Sequence, residues 1–272
     1  MDRISFLGAR GAKRSSRVDK GSSRRFHPNH SYKSGVELAK KPTKSTPPRA
    51  TRLIRAQYNE FMRSSDPNQR ESTIGDARAA VYAFYDYDGE PIYVGRTVAK
   101  VRDRIGRHLT GQRSDPVGKF VLDPFEVAEV EIWTVPEIAE ISPKASVRAK
   151  AMQPYEATVY YKLKSDSKFN AVLNEAVPLE CKPVDLPSSV RGSIIPKELW
   201  EDRKHPDVRI ARRAAHVGRL AQLISERELR GGGLRRTLHL QTQRLQWLTC
   251  ERLKELNLLE ARPGEPTDVK EN

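Results

Sequence analysis

Two runs rich in Val, Tyr and Phe meet across an Asp-Gly pair: AVYAFYDY (80–87), then Asp88-Gly89, then PIYVGRT (91–97). Asp-Gly between two short β-prone runs is among the strongest local signals for a hairpin. It commits the chain to an antiparallel strand pair, on which the next segments must pack. VAKVRDRIGRHLTG predicts a helix with Val98, Val101, Ile105 and Leu109 as its apolar stripe and Gly111 at its end. FEVAEVEIWTV has the rough alternation of a third strand. Ser142-Pro143 has the chemistry of a helix start, with KASVRAKAM after it, a kink or restart at Pro154, and YEATVYYKLK continuing. The expectation is an α+β unit over residues 78–176, a small three-stranded antiparallel sheet flanked by helices.

The flanks differ in texture. Residues 1–50 hold thirteen Lys/Arg against three acids, which is +10 of the chain's net +14. With no apolar periodicity, the segment reads as a disordered basic tail, either lying on phosphate backbones or simply solvated. Residues 51–77 read as a short helix and linker, with Leu53, Ile54, Tyr58, Phe61 and Met62 at helical spacing and Asp66-Pro67 as the stop. Residues 177–272 open with a Pro-rich connector and continue as two helical patterns split by Gly231-Gly232-Gly233. This region has two readings. RIARRAAHVGRL is basic around much of its circumference and suits DNA; Leu238, Leu245, Leu248, Leu256 and Leu259 form a stripe for packing or homodimer formation.

Several classes drop out. No run of about eighteen apolar residues exists to span a membrane. The amino terminus lacks an apolar signal core, which points to the cytoplasm and, when bound to DNA, the nucleoid; its Arg- and Ser-rich, acid-poor composition is also that of an organelle transit peptide. Cys181 and Cys250 show no metal spacing and read as reduced structural thiols. His27, Asn29 and His30 lack the strand–helix context of a metal site, and the glycine triplet lacks a preceding strand, so it reads as a linker. His205, His216 and His239 read as surface or interhelical residues.

Polar residues fall where a core belongs. Arg104 and His108 stand at i and i+4 beside the Val101/Ile105/Leu109 stripe, on one helix face. Glu156 precedes Val159, Tyr160 and Leu163 by three, four and seven residues, so it shares their inward side, where a carboxylate needs compensation. With the turn centred on Asp88-Gly89, Tyr82 and Tyr93 sit roughly across from each other. Taken singly, the tyrosines read as packing, the Arg/His pair as a solvated face, and the glutamate as a partner for an arginine.

Taken in order, they resemble the GIY-YIG nuclease superfamily. Ala80-Val81-Tyr82 stands for the first half-motif and Tyr93-Val94-Gly95 for the second; Arg104 and His108 match the helix motif, Glu156 the essential glutamate, and Asn170 in KFNAVLNE the following asparagine. The sequence departs from the pattern at Ala80, where a glycine is usual, and in having no proline just before Phe169-Asn170. The resemblance implies an endonuclease hydrolysing DNA phosphodiesters. Glu156 would bind Mg²⁺, with Mn²⁺ as substitute, and Arg104 would hold the scissile phosphate. Tyr82, Tyr93 and His108 would orient and deprotonate water, Asn170 would fix local geometry, and Gly95 would allow close approach. The competing class is a nucleic-acid-binding protein that keeps the fold without cleaving.

Overall fold

A computed structural model describes residues 46–109, 122–226 and 232–258. Residues 1–45 of the predicted basic tail, Gly231, Leu259 and residues 110–121 lie outside the described residues; Arg49 and Ala50, the last two residues assigned to the tail, instead begin the first helix. Residues 46 onward belong to one compact unit.

The centre is an antiparallel sheet of β1 (Ala80–Tyr85), β2 (Pro91–Thr97), β3 (Glu129–Thr134) and β4 (Ser189–Ser193), in spatial order β2-β1-β3-β4. Every residue of β1 is buried, as its central place requires. The β1–β2 turn forms where the Asp-Gly pair predicts it. Asp86 accepts through Oδ1 from the backbone N–H groups of Asp88 and Glu90, and Gly89 takes φ 75°, a left-handed conformation that suits glycine.

Four strands rather than three correct the sequence expectation. SVRGS has no apolar alternation to announce a strand. It is held by backbone pairing to β3, with Val130 opposite Gly192, and by the Phe61 ring lying over Gly192.

Strand alternation divides the core into two faces. On one, Tyr82, Phe84, Val130 and Ile132 pack against α1 (Arg49–Phe61) and α2 (Val101–Leu109) through Ile54, Tyr58, Phe61, Val101 and Ile105. On the other, Val81, Ala83, Tyr85 and Trp133 meet Val159, Tyr160 and Leu163 of α5 (Gln153–Asp166). The first helix ends at Phe61, earlier than Asp66-Pro67 suggests. A short α3 (Pro136–Glu140) was not legible in the sequence. The helix expected from Ser142-Pro143 starts at Ala145 as α4 (Ala145–Ala151), with Ser142 Oγ accepting from the Lys144 N–H; the break falls at Met152, and Pro154 sits in the first turn of the restarted α5.

After β4 come α6 (Lys197–Lys204), α7 (Pro206–Glu226) and α8 (Gly233–Glu255). The last two pack together through Leu220, Leu223, Leu234 and Leu238, and Leu248 is buried as well, so part of the leucine stripe is spent inside the chain.

The basic face of α7 is spent internally too. Arg209 and Arg213, 2% and 5% exposed, bond to Asp88 and Asp86 in the β1–β2 turn and share Glu126 Oε2. From α8, Arg244, 1% exposed, donates to the carbonyls of Pro91 and Ala171. Burial pushes its pKa down to about 10, with Asp86 opposing the shift. The sequence reading that gives this face of α7 to DNA does not fit Arg209 and Arg213, because Asp86, Asp88 and Glu126 already occupy them. No described helix is long and apolar enough to cross a membrane.

Candidate active site

The predicted residues assemble around β2, which is an edge strand. Tyr82 on β1 pairs with Gly95, and Phe84 pairs with Tyr93. The two tyrosines are therefore diagonal neighbours on one face, with ring centroids 6.2 Å apart, rather than directly opposed. His108 on α2 completes the cluster, its ring centroid 5.7 Å from Tyr82 and 5.3 Å from Tyr93.

Tyr82 is the hub. Its hydroxyl shares a 2.8 Å hydrogen bond with His108 Nε2 and accepts from Arg104 Nε at 3.3 Å. Tyr82 and His108 are both buried, so this polar set is screened from water on most sides. The i, i+4 spacing of Arg104 and His108 does what helical geometry promises and delivers both to one hydroxyl. Burial works against the charge of Arg104, but the field of Tyr82, Tyr93 and Glu156 outweighs it and raises its pKa above the ordinary arginine value. Arg104 is thus a permanent cation that senses residues on both sides of the strand.

Gly95 has a specific reason to be glycine. A Cβ there would stand 2.7 Å from Cζ and from Oη of Tyr82 and 2.9 Å from Cε1 of Tyr93. The missing side chain is the space into which the Tyr82 ring fits. The close approach expected at this position is an approach of protein to protein.

Glu156 comes from α5, on the other face of the sheet, and its side chain is 19% exposed. Arg96, next after Gly95 and so directed to that same face, donates from Nε to Glu156 Oε2 at 2.5 Å and from Nη1 to the Ala149 carbonyl at 2.5 Å. The Arg96 fork ties α4 and α5 to the edge strand. It takes Oε2, and among the described residues no hydrogen bond or ion pair involves Oε1.

Among the described residues no cluster of three or more His, Cys, Asp or Glu could hold a metal. A single carboxylate oxygen fits a hard divalent cation that keeps most of its waters, and does not fit a metal needing several protein ligands.

Asn170 stands apart. It is exposed, with φ 48°, in the turn that ends α5, its N–H bonded to the Ser167 carbonyl. Four residues on, Asn174 is buried and embraces Val94 on the open side of β2: Oδ1 accepts from its N–H at 3.0 Å and Nδ2 donates to its carbonyl at 2.7 Å. An edge strand with unpaired backbone groups is a liability, and a side-chain amide that imitates a neighbouring strand removes it. Sequence reasoning missed Asn174 and Arg96. The available signals were the apolar run Ala171–Leu173 carrying Asn174 into the interior, and the parity that sends Arg96 to the face of Glu156.

Residues 78–151 match the GIY-YIG catalytic domain, the domain of a nuclease family. No curated protein matches the chain, and no solved structure does.

Proposed function

We propose, on the premise of that match, that the chain is a metal-dependent endonuclease acting on DNA, with its chemistry at the edge of β2. The observation that carries this reading is the bonded set Arg104–Tyr82–His108, whose arginine also senses Glu156 across the strand. Phosphodiester hydrolysis needs an activated water and relief of charge at phosphorus. The guanidinium of Arg104 binds a non-bridging oxygen of the scissile phosphate and neutralises it. Because the Tyr82 hydroxyl already accepts from Arg104, its own proton points to His108 Nε2, and the pair forms a relay. Water held at the Tyr82 oxygen attacks phosphorus, its proton passes to that oxygen as the tyrosine proton moves to His108, and the P–O bond to the leaving strand breaks. A Mg²⁺ ion held through Glu156 Oε1 would supply charge for the departing oxygen. Tyr93 packs its ring against Tyr82 and His108.

The alternative, a binding protein that keeps the fold without cutting, draws on the Arg96–Glu156 pair, which already neutralises the carboxylate. Plasmid incubated with Mg²⁺ and either wild type or Glu156→Ala separates the two. Cleavage by wild type, lowered at least a hundred-fold in the variant, is the expected result. Intact plasmid with both proteins, together with equal binding, selects the alternative. Arg104→Ala is expected to lower kcat about 10²–10³-fold with DNA affinity nearly unchanged. A collapse of affinity instead would make Arg104 a general backbone contact.

A further inference from the structure

Arginines in this chain are used in two ways. Arg209 and Arg213 are buried against carboxylates, and Arg96 is tied to Glu156. Helix α1 and the turn after it carry Arg49, Arg52, Arg55 and Arg63, all exposed. Among the described residues none of these four guanidiniums enters an ion pair or a hydrogen bond. Four basic residues close together against one acid, Glu60, repel one another, and a fold needing only solubility has no reason to set them so.

The helix arranges them. Ile54, Tyr58 and Phe61 face the core, and Gln57 reaches the Ser193 carbonyl of β4. By helical spacing Arg52, Arg55 and Asn59 turn away from that side. The helix is also locked to the one that bears Arg104. The Tyr58 hydroxyl donates to the Arg102 carbonyl at 2.5 Å, and Arg102 Nη2 reaches back to the Met62 carbonyl at 3.4 Å. The exposed Arg107, one turn from Arg104, follows on the same helix. Positive charge thus runs from the outer face of α1 to the flank of the candidate site.

We infer that the outward face of α1 is a second contact surface for the substrate, binding the phosphate backbone of a nucleic-acid duplex beside the point of cleavage. The inference rests on the nuclease reading for its partner, and on the unpaired arginines for its place. From Arg49 to Phe61 the helix runs about 18 Å, or roughly five base-pair steps. A membrane surface is the other polyanion, but insertion at a lipid interface needs apolar side chains beside the charges. The outward face carries Ala56 and Asn59 between its arginines, and the large apolar residues of α1 point inward.

The test is the salt dependence of binding to a labelled duplex, measured without divalent cation so that nothing is cut. The proteins are full-length wild type, the triple variant Arg52→Gln/Arg55→Gln/Arg63→Gln, and a control, Lys162→Gln/Lys182→Gln. The control residues are exposed on α5 and on the segment packed against it, across the sheet from α1. Each lost phosphate contact lowers the slope of log K against log salt by about 0.9. The triple variant is expected to lose about two to three in slope, with wild-type melting behaviour, and the control none. An unchanged slope in the triple variant overturns the inference, and so does an equal loss in the control. It is likewise overturned if the triple variant loses binding to phosphatidylserine vesicles and not to duplex. Cleavage is scored separately. A wild type whose binding slope depends on these arginines but which cuts nothing loses the enzyme reading and keeps the surface; one that cuts with an unaffected slope does the reverse.

Discussion

Arg213→Ala is expected to lower the folding free energy by about 3–5 kcal/mol, measured by chemical denaturation with an unchanged m-value. The magnitude comes from the groups the side chain leaves behind. Arg213 donates to Asp86 Oδ2 at 2.8 Å and to Glu126 Oε2 at 3.0 Å, and both carboxylates are buried. With the arginine gone, Asp86 keeps only the more distant charges of Arg209 at 3.6 Å and Arg244 at 3.8 Å. Taking the nearest partner from a buried carboxylate is far costlier than losing a surface pair. A loss below about 1 kcal/mol would mean that the neighbouring arginines reorganise to take its place.

Asp88, which Arg209 of the same cluster holds, contributes to the acid limit of the fold. Burial alone would raise the pKa of Asp88, but its bond to Arg209 outweighs this and holds the carboxyl below its ordinary value. A depressed carboxylate stabilises the fold at pH above its unfolded pKa, and that contribution fades as pH falls through the folded one. Wild type should therefore lose stability below about pH 4, and Arg209→Gln should show a shallower acid limb.

Gly95→Ala is expected to lower cleavage at least a hundred-fold while lowering stability by about 1–3 kcal/mol. The added methyl would fall 2.7 Å from the Tyr82 ring and hydroxyl, and that ring has nowhere to go. Its face is buried and its oxygen is bonded to His108 and Arg104. Either the ring tilts and breaks the relay, or β2 lifts away from β1. Gly218→Ala, in α7 with nothing within 4 Å of the new atom, is the matched control. There the expected change is a gain of up to about 1 kcal/mol from helix propensity, with cleavage untouched. Full activity in Gly95→Ala would show that the Tyr82 position does not matter to catalysis.

Local chemistry announced what local chemistry builds. The Asp-Gly turn, the Val/Tyr/Phe-rich run of β1 and the Arg104/His108 spacing each arise from a few neighbouring residues, and the structure brings Tyr82, Arg104 and His108 into one bonded set. What was hidden depends on residues far apart in the chain. SVRGS is a strand only because β3 offers an unpaired edge. Arg209 and Arg213 look like a solvated basic face until Asp86, Asp88 and Glu126 are seen beneath them. Between Asn170 and Asn174 the sequence offers little choice, since both are asparagines in one short stretch; the buried one is known by the strand edge it meets. The Tyr82–Gly95 pairing, by contrast, follows from the turn itself: centred on Asp88-Gly89, it sets opposite each other residues whose numbers sum to 177, and so Gly95 rather than Tyr93 opposite Tyr82.

That Gly95 and Arg96 are adjacent on an extended strand has an unforgiving corollary. One residue makes room for the tyrosine relay and the next grips the carboxylate, and only the odd–even count along β2 keeps them on opposite sides. Removing one residue from the hairpin turn would present Arg96 to Tyr82 and Thr97 to Glu156; adding one would present Val94 to Tyr82 and leave Gly95, an empty position, facing Glu156. Surface turns are ordinarily where chains tolerate changes of length. Here the turn works as a counter, and a frame error of one step would scramble the chemistry of both faces at once.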